Sequence, residues 1–269
     1  MVERYRRRKG KKELLGNHQK CWIWGKNVVL ETLRAGRWPV LELYLADRLD
    51  SKSLNVAFQL AQQSHIAATI KSSNVLTQQC HSNEHQGYLA KMAPYPYVDA
   101  SQVVDNPPTC PLFTVLDSIQ DPYNFGAIIR SANLLGVDAI FVARTQQVPV
   151  TSLVARSSAG AVNHVAISEV DNLTELAKRL RRLGVGIVAA SQTAPINVFA
   201  ANFLQPTAIV IGNEGVGIQD ELLQVCDRRV SIPQFGNVDS LNSAVSAGIL
   251  FYEARRQRQM SKARETDGT

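Results

Sequence analysis

A chain of 269 residues that is 45% hydrophobic can bury the core of one large domain or of two smaller ones. Its formal charge of +6 lies in the first 20 residues, where 8 basic side chains meet 2 acidic ones, so the rest of the chain is near neutral. No apolar run approaches the roughly 20 residues of a membrane span, and the basic start lacks the apolar stretch of a secretory signal; membrane-helix and secreted classes are excluded, and a soluble, cytoplasmic protein is expected.

Residues 1–20 read as a flexible basic arm, with Arg6, Arg7 and Arg8 at its centre. Its natural partner is a polyanion bound through phosphates, with a solubilising or targeting tail as the alternative. Residues 21–98 alternate as a small α/β unit: helix 28–35, strand 41–46, helix 53–64, strand 67–70, a helix capped by Ser72 or Ser73, and a strand over 87–92. Five prolines between Pro94 and Pro111 break every pattern, so residues 99–111 read as a linker.

From Leu112 the alternation resumes with longer elements. Strands are expected at 112–116, 139–142, 164–167, 185–190, 208–211 and 229–232, and helices at 125–135, 151–156, 173–183, 219–225 and 240–256, with a tail from 258. This order implies an α/β fold with a mostly parallel sheet covered on both faces. Four scattered cysteines without a C-x-x-C pair read as reduced thiols. Cys80, His81 and His85 lie close together but lack a fourth ligand, so a polar helix end and turn is preferred and no metal is expected.

Three polar clusters each end or follow a buried-strand run, which gathers them at one edge of the sheet. They are Asn124-Phe-Gly126-Ala-Ile-Ile-Arg130, Gly212-Asn213-Glu214-Gly215-Val-Gly217, and Ile232-Pro233 leading to Ser240-Leu241-Asn242. Phosphate-loop, dinucleotide and nucleophile-elbow motifs are absent, which argues against a dehydrogenase or a nucleotidase. The glycines permit close backbone approach to a ligand, and Ile232 and Leu241 offer an apolar surface for an adenine ring. If Asn124 caps its helix, Arg130 sits nearly two turns inside, able to hold a phosphate by two parallel bonds or to make a surface ion pair. Glu214 is either solvated or fixes Asn124 or Arg130. Ser240, with no acid or histidine near it in sequence, reads as a local hydrogen-bonder rather than a nucleophile.

Together these segments resemble the SpoU/TrmH branch of the SPOUT methyltransferases, which move a methyl group from S-adenosylmethionine to a ribose 2′-hydroxyl of RNA. The resemblance implies a C-terminal trefoil knot within residues 112–257, a homodimer, and active sites formed at the dimer contact. It implies catalytic roles for Asn124, Arg130, Glu214, Ser240 and Asn242, and cofactor contacts from Gly212, Asn213, Gly217, Ile232, Leu241 and Ser191. Asn124 and Arg130 would hold the ribose and phosphate, with Glu214 and Asn242 orienting the reacting groups. The family's arginine is often described as the proton acceptor, but a guanidinium stays charged in nearly all protein settings.

Residues 21–98 are similar to the RNA-binding domain that precedes the catalytic domain in some members and resembles a small ribosomal protein. Lys26, Asn27, His85 and Gln86 join the arm as expected RNA contacts. Within the family the layout is most similar to enzymes that methylate a guanosine of large-subunit rRNA, a grouping supported by Ala159-Gly-Ala-Val-Asn-His164. Two other readings stay open: an enzyme acting on tRNA or another rRNA site, and a catalytically idle ribosome-assembly factor.

Overall fold

The computed structural model describes residues 21–237 and 240–267, so the arm with Arg6, Arg7 and Arg8 lies outside the described residues. The first sheet takes four strands, β1 (Trp22–Trp24), β2 (Val40–Ala46), β3 (Ala68–Lys71) and β4 (Tyr88–Met92), in the order β1-β4-β2-β3. Only β2 and β3 run parallel; β4 is antiparallel to both of its neighbours. Helices α1 (Lys26–Ala35), α2 (Ser51–Gln63) and α3 (Ser73–Cys80) connect them. The strand β1 is too short to show a period, and only its burial against β4 makes it a strand. Asp50 starts α2 at Ser51 by accepting the Ser53 N–H at 2.8 Å.

The second sheet has seven strands: β5 (Leu112–Leu116), β6 (Ala139–Ala143), β7 (Ala166–Val170), β8 (Gly186–Ala190), β9 (Ile196–Asn197), β10 (Thr207–Ile211) and β11 (Arg228–Ser231). Their order is β7-β6-β5-β10-β8-β11-β9, and every neighbouring pair is parallel. Both faces are buried, and side chains along β5 divide by the period of two. Leu112 and Leu116 join the core beneath α5 (Pro122–Leu134) and α9 (Ser243–Asp267), while Phe113 and Val115 join the opposite core beneath α7 (Leu173–Arg182). Helices α4 (Ala100–Asp105), α6 (Ser152–Ser157) and α8 (Asp220–Gln224) complete the set.

The structure corrects four expected boundaries. Residues 99–111 hold α4, because Asp99 caps it through the Ser101 N–H and Val104 is buried against the sheet. Strand β7 begins at Ala166, two residues late, since Ala161–Asn163 is a 3₁₀ turn. Helix α9 begins at Ser243 rather than Ser240, with the Asn242 Oδ1 accepting the Ala244 and Val245 N–H groups. It continues through the expected tail to Asp267, held by Arg258, which donates to the carbonyls of Phe203, Cys110, Pro111 and Gln205.

The two sheets share one continuous buried cluster, which runs from Val29 and Leu30 of α1 to Val162 and Ile128. At the seam Asn163 Nδ2 donates to Thr32 Oγ1 at 3.0 Å, and Arg156 lies 4.3 Å from the Trp24 ring centre while pairing with Glu84. The Tyr95 hydroxyl donates to the Val162 carbonyl, and burial pushes that phenol up to about 12. The segment Ala159–His164 is therefore where the second unit grips α1.

Candidate active site

The loops that leave β8, β10 and β11 converge at the carboxyl ends of the strands around a cavity of about 450 Å³. Ser191, Gly212, Asn213, Glu214, Gly217, Ile232, Ser240 and Leu241 all line it. Two expected site residues, Asn124 and Asn242, border the adjoining groove instead, and Arg130 lines neither space.

Local geometry explains the glycine loop. Asn213 and Gly217 exchange backbone hydrogen bonds at 3.1 and 2.8 Å, and the Asn213 Oδ1 accepts the Gly215 N–H at 2.7 Å. A Cβ on Gly212 would meet the Gly217 carbonyl carbon at 2.3 Å, and Gly217 sits at φ +79°, so neither position tolerates a side chain. The Asn213 side chain is thus spent inside the loop and on the Ser118 carbonyl, to which its Nδ2 donates at 2.8 Å. What Asn213 offers the cavity is a loop held in place.

A second anchor escaped sequence reasoning. Asp117, 1% exposed at the end of β5, accepts the Gln219 N–H at 2.7 Å and the Gln219 Nε2 at 3.0 Å, fixing the far end of the same loop. Its sequence signal was only a polar residue directly after a buried strand.

Glu214, at the tip, is where the three clusters meet. Its Oε1 accepts from Asn124 Nδ2, from Asn242 Nδ2 at 3.2 Å, and from Ser243 through both the backbone N–H at 3.3 Å and Oγ at 2.7 Å. Asn242 Nδ2 also donates to Asn124 Oδ1 at 3.0 Å. Ser243, buried and unforeseen, stands next to Asn242 in the chain. Asn124 is not a helix cap: Pro122 occupies the first turn of α5, and Asp121 accepts the Tyr123 and Asn124 N–H groups. Asn124 is therefore inside the helix, its side chain free to reach Glu214. Arg130 is exposed on α5 and, among the described residues, makes no hydrogen bond or ion pair.

The remaining expected contacts divide. Lys26 and Asn27 are exposed at the start of α1, where the Gln86 Oε1 accepts the Lys26 N–H at 2.9 Å. His85 is a correction: at 1% exposure it cannot meet RNA. Its Nδ1 accepts the Gly87 N–H at 3.0 Å, which leaves the proton on Nε2 beside Thr77 Oγ1 at 3.1 Å. Burial, followed by the nearby Arg48 cation, lowers its pKa, so the ring is a neutral pin for the turn before β4. Cys80 likewise donates to the Ser82 carbonyl, and among the described residues no three metal-ligating side chains gather.

The lining also has a chemical polarity. Glu214 and Asp220 face the cavity, and among its described residues there is no lysine, arginine or histidine. A nucleoside polyphosphate would find no counter-charge there, whereas a ligand bearing positive charge would. Ile211, Ile232 and Leu241 supply an apolar wall suited to a flat ring.

Residues 111–252 match the model of the SpoU rRNA Methylase family, and residues 22–98 match that of the RNA 2′-O ribose methyltransferase substrate-binding family. The chain is 31% identical over 245 residues to YacO of Bacillus subtilis, named a TrmH family tRNA/rRNA methyltransferase, spanning 90% of this chain and 98% of that protein. It is 31% identical over 240 residues to RlmB of Shewanella oneidensis, a 23S rRNA (guanosine-2′-O-)-methyltransferase, spanning 88% and 97%. Its fold is similar to that of the SpoU methyltransferase AviRb from Streptomyces viridochromogenes, solved in complex with AdoMet, with a TM-score of 0.75, 27% identity and coverage of 89% and 90%.

Proposed function

The chain belongs to the SpoU rRNA Methylase family, and from that premise we propose that it methylates a guanosine ribose 2′-hydroxyl in large-subunit rRNA, with S-adenosylmethionine as methyl donor. The observation that carries the reading is the Glu214-centred network, which joins Asn124 and Asn242 at the mouth of a cavity without a cationic side chain among its described lining residues. The large-subunit guanosine target is supported by the likeness to RlmB over nearly the whole chain. The scattered cysteines, with no C-x-x-C pair, are the usage expected of a cytoplasmic setting.

S-adenosylmethionine, when bound, supplies an electrophilic methyl on a cationic sulfur. Ile232 and Leu241 would flank its adenine, Gly212 and Gly217 would let backbone amides approach, and Ser191 and Ser240 would serve polar edges. Glu214 and Asp220 make the cavity electrostatically favourable for a cation. Asn124 and Asn242, locked by Glu214, would hold the ribose so that its hydroxyl approaches in line at about 3 Å. The 2′-hydroxyl is a very weak acid, and a positive charge beside it stabilises the oxygen as it develops negative charge.

Arg130 is the group for that task, yet it does not line its own cavity. It shares the exposed side of α5 with Tyr123, Ala127 and Leu134, beside Val245 and Tyr252 of α9, a contiguous apolar face. A homodimer packed on this face would deliver Arg130 to the cavity of the partner subunit. A trefoil knot through the C-terminal half is part of the same proposal and rests on the family membership.

The test is transfer of radiolabelled methyl from S-adenosylmethionine to total ribosomal RNA, with digestion to locate the label. Label on a guanosine ribose of large-subunit rRNA, lost in Asn124→Ala and Arg130→Ala, is the expected result. Label on tRNA alone moves the target. A folded, cofactor-binding protein that labels no RNA overturns the enzymatic reading in favour of an assembly factor.

A further inference from the structure

The opposite, amino-terminal edge of the large sheet carries a second concavity, formed by α7 and the turn Gly184–Gly186. Leu173, Leu176, Ala177 and Leu180 bury one face of α7, which leaves Lys178, Arg181 and Arg182, at i, i+3 and i+4, in a row on the other. Arg228, at the start of β11, extends the row: its guanidinium lies 3.7 Å from where a Cβ on Gly186 would sit. Asp227, the acid in the described lining, is already engaged. Its Oδ2 accepts the Ile187 N–H at 2.8 Å and its Oδ1 pairs with Arg181 Nε at 2.8 Å. Lys178 pairs with Glu175 only at the surface, where such a bond is weak, and among the described residues Arg182 and Arg228 have no ion pair.

Beyond residue 20 the chain is near neutral, so this clustering is segregation rather than excess. The cofactor cavity, whose described lining holds acids and no cation, lies about 17 Å away across a five-residue strand. A small ligand meets one edge or the other, but a folded RNA spans both. Resting on the reading of the chain as an RNA-modifying enzyme, we propose that Lys178, Arg182 and Arg228 bind the phosphodiester backbone of the RNA substrate at a point remote from the reacting ribose. Guanidinium forks suit phosphate oxygens, and such binding is independent of sequence.

Filter binding of protein-free large-subunit rRNA to the full-length protein across a salt series tests this. In Lys178→Gln/Arg182→Gln/Arg228→Gln the Kd rises about a hundredfold at ~0.1 M salt, and the slope of log K against log salt falls by about 2, near 0.7–0.9 for each phosphate no longer neutralised. Melting temperature, S-adenosylmethionine binding and kcat at saturating RNA stay as in the parent. The exposed single variant Arg182→Gln gives about a third of the slope change and guards against misfolding of the triple. Unchanged Kd and slope, in a parent that still methylates RNA, overturn the pocket and leave the enzyme standing; a parent that neither binds nor methylates RNA overturns both. Submillimolar binding of inorganic phosphate, abolished in the triple variant while RNA binding is unchanged, assigns the pocket to a free anion and overturns its role in holding RNA.

Discussion

One oxygen of Glu214 receives all four donors that bind the three clusters together, from residues 90, 28 and 29 positions away. Removing the exposed carboxylate leaves the Asn124 and Asn242 amides to water and only Ser243 as a buried donor, so stability falls modestly while positioning is lost. Glu214→Ala therefore lowers kcat by about a hundredfold and shifts the melting temperature by no more than a few degrees, with Glu214→Gln between it and the parent. A variant with normal kcat would remove the network from the chemistry. The sequence marked Glu214 as either solvated or a partner of Asn124 or Arg130, and the fold chose Asn124. His85 failed for a related reason: its polar type suggested a role at the surface, whereas its burial made it a pin.

The glycine in the α5 motif has its reason in packing between elements. A Cβ on Gly126 would fall 1.9 Å from Ser157 Oγ and 2.9 Å from the Ser158 backbone nitrogen, where α6 crosses α5. Gly126→Ala thus forces the two helices apart and costs about 1–3 kcal/mol, read by urea unfolding. Ser157→Gly relieves part of the loss, since the Ser158 backbone still stands in the way. The helices and core strands were legible because apolar periodicity and runs of branched residues report burial directly. The start of α9 was not, because Ser240 and Asn242 are both competent caps, and Asn242 took the role once Glu214 held it.

At the scale of the molecule, the proposed homodimer ties the apolar face of α5 and α9 to the exposed Arg130. Tyr252 is 60% exposed and Leu134 74%, and the homodimer proposed above would cover both. Val245→Glu/Tyr252→Glu is expected to sediment as a monomer, keep its melting transition, and lose methyl transfer by at least about tenfold. Full specific activity in a dilute monomer would sink the shared-site arrangement. The charge pattern belongs to this scale too, with an acid-lined cavity at one sheet edge and a basic pocket at the other.

The sequence by itself determined the α/β class and the parallel sheet, and it placed the three polar clusters at one sheet edge. These follow from short-range regularities: strand length, branched content, and polar residues placed just after buried runs. Only the tertiary structure decided that Asp117 and Ser243 brace the site, that Asn213 serves its own loop, that Arg130 is left out of its own cavity's lining, and that scattered arginines form a second pocket. Each of those depends on segments far apart in the chain arriving at one place, and side-chain partnership across such distances is set by packing rather than by spacing.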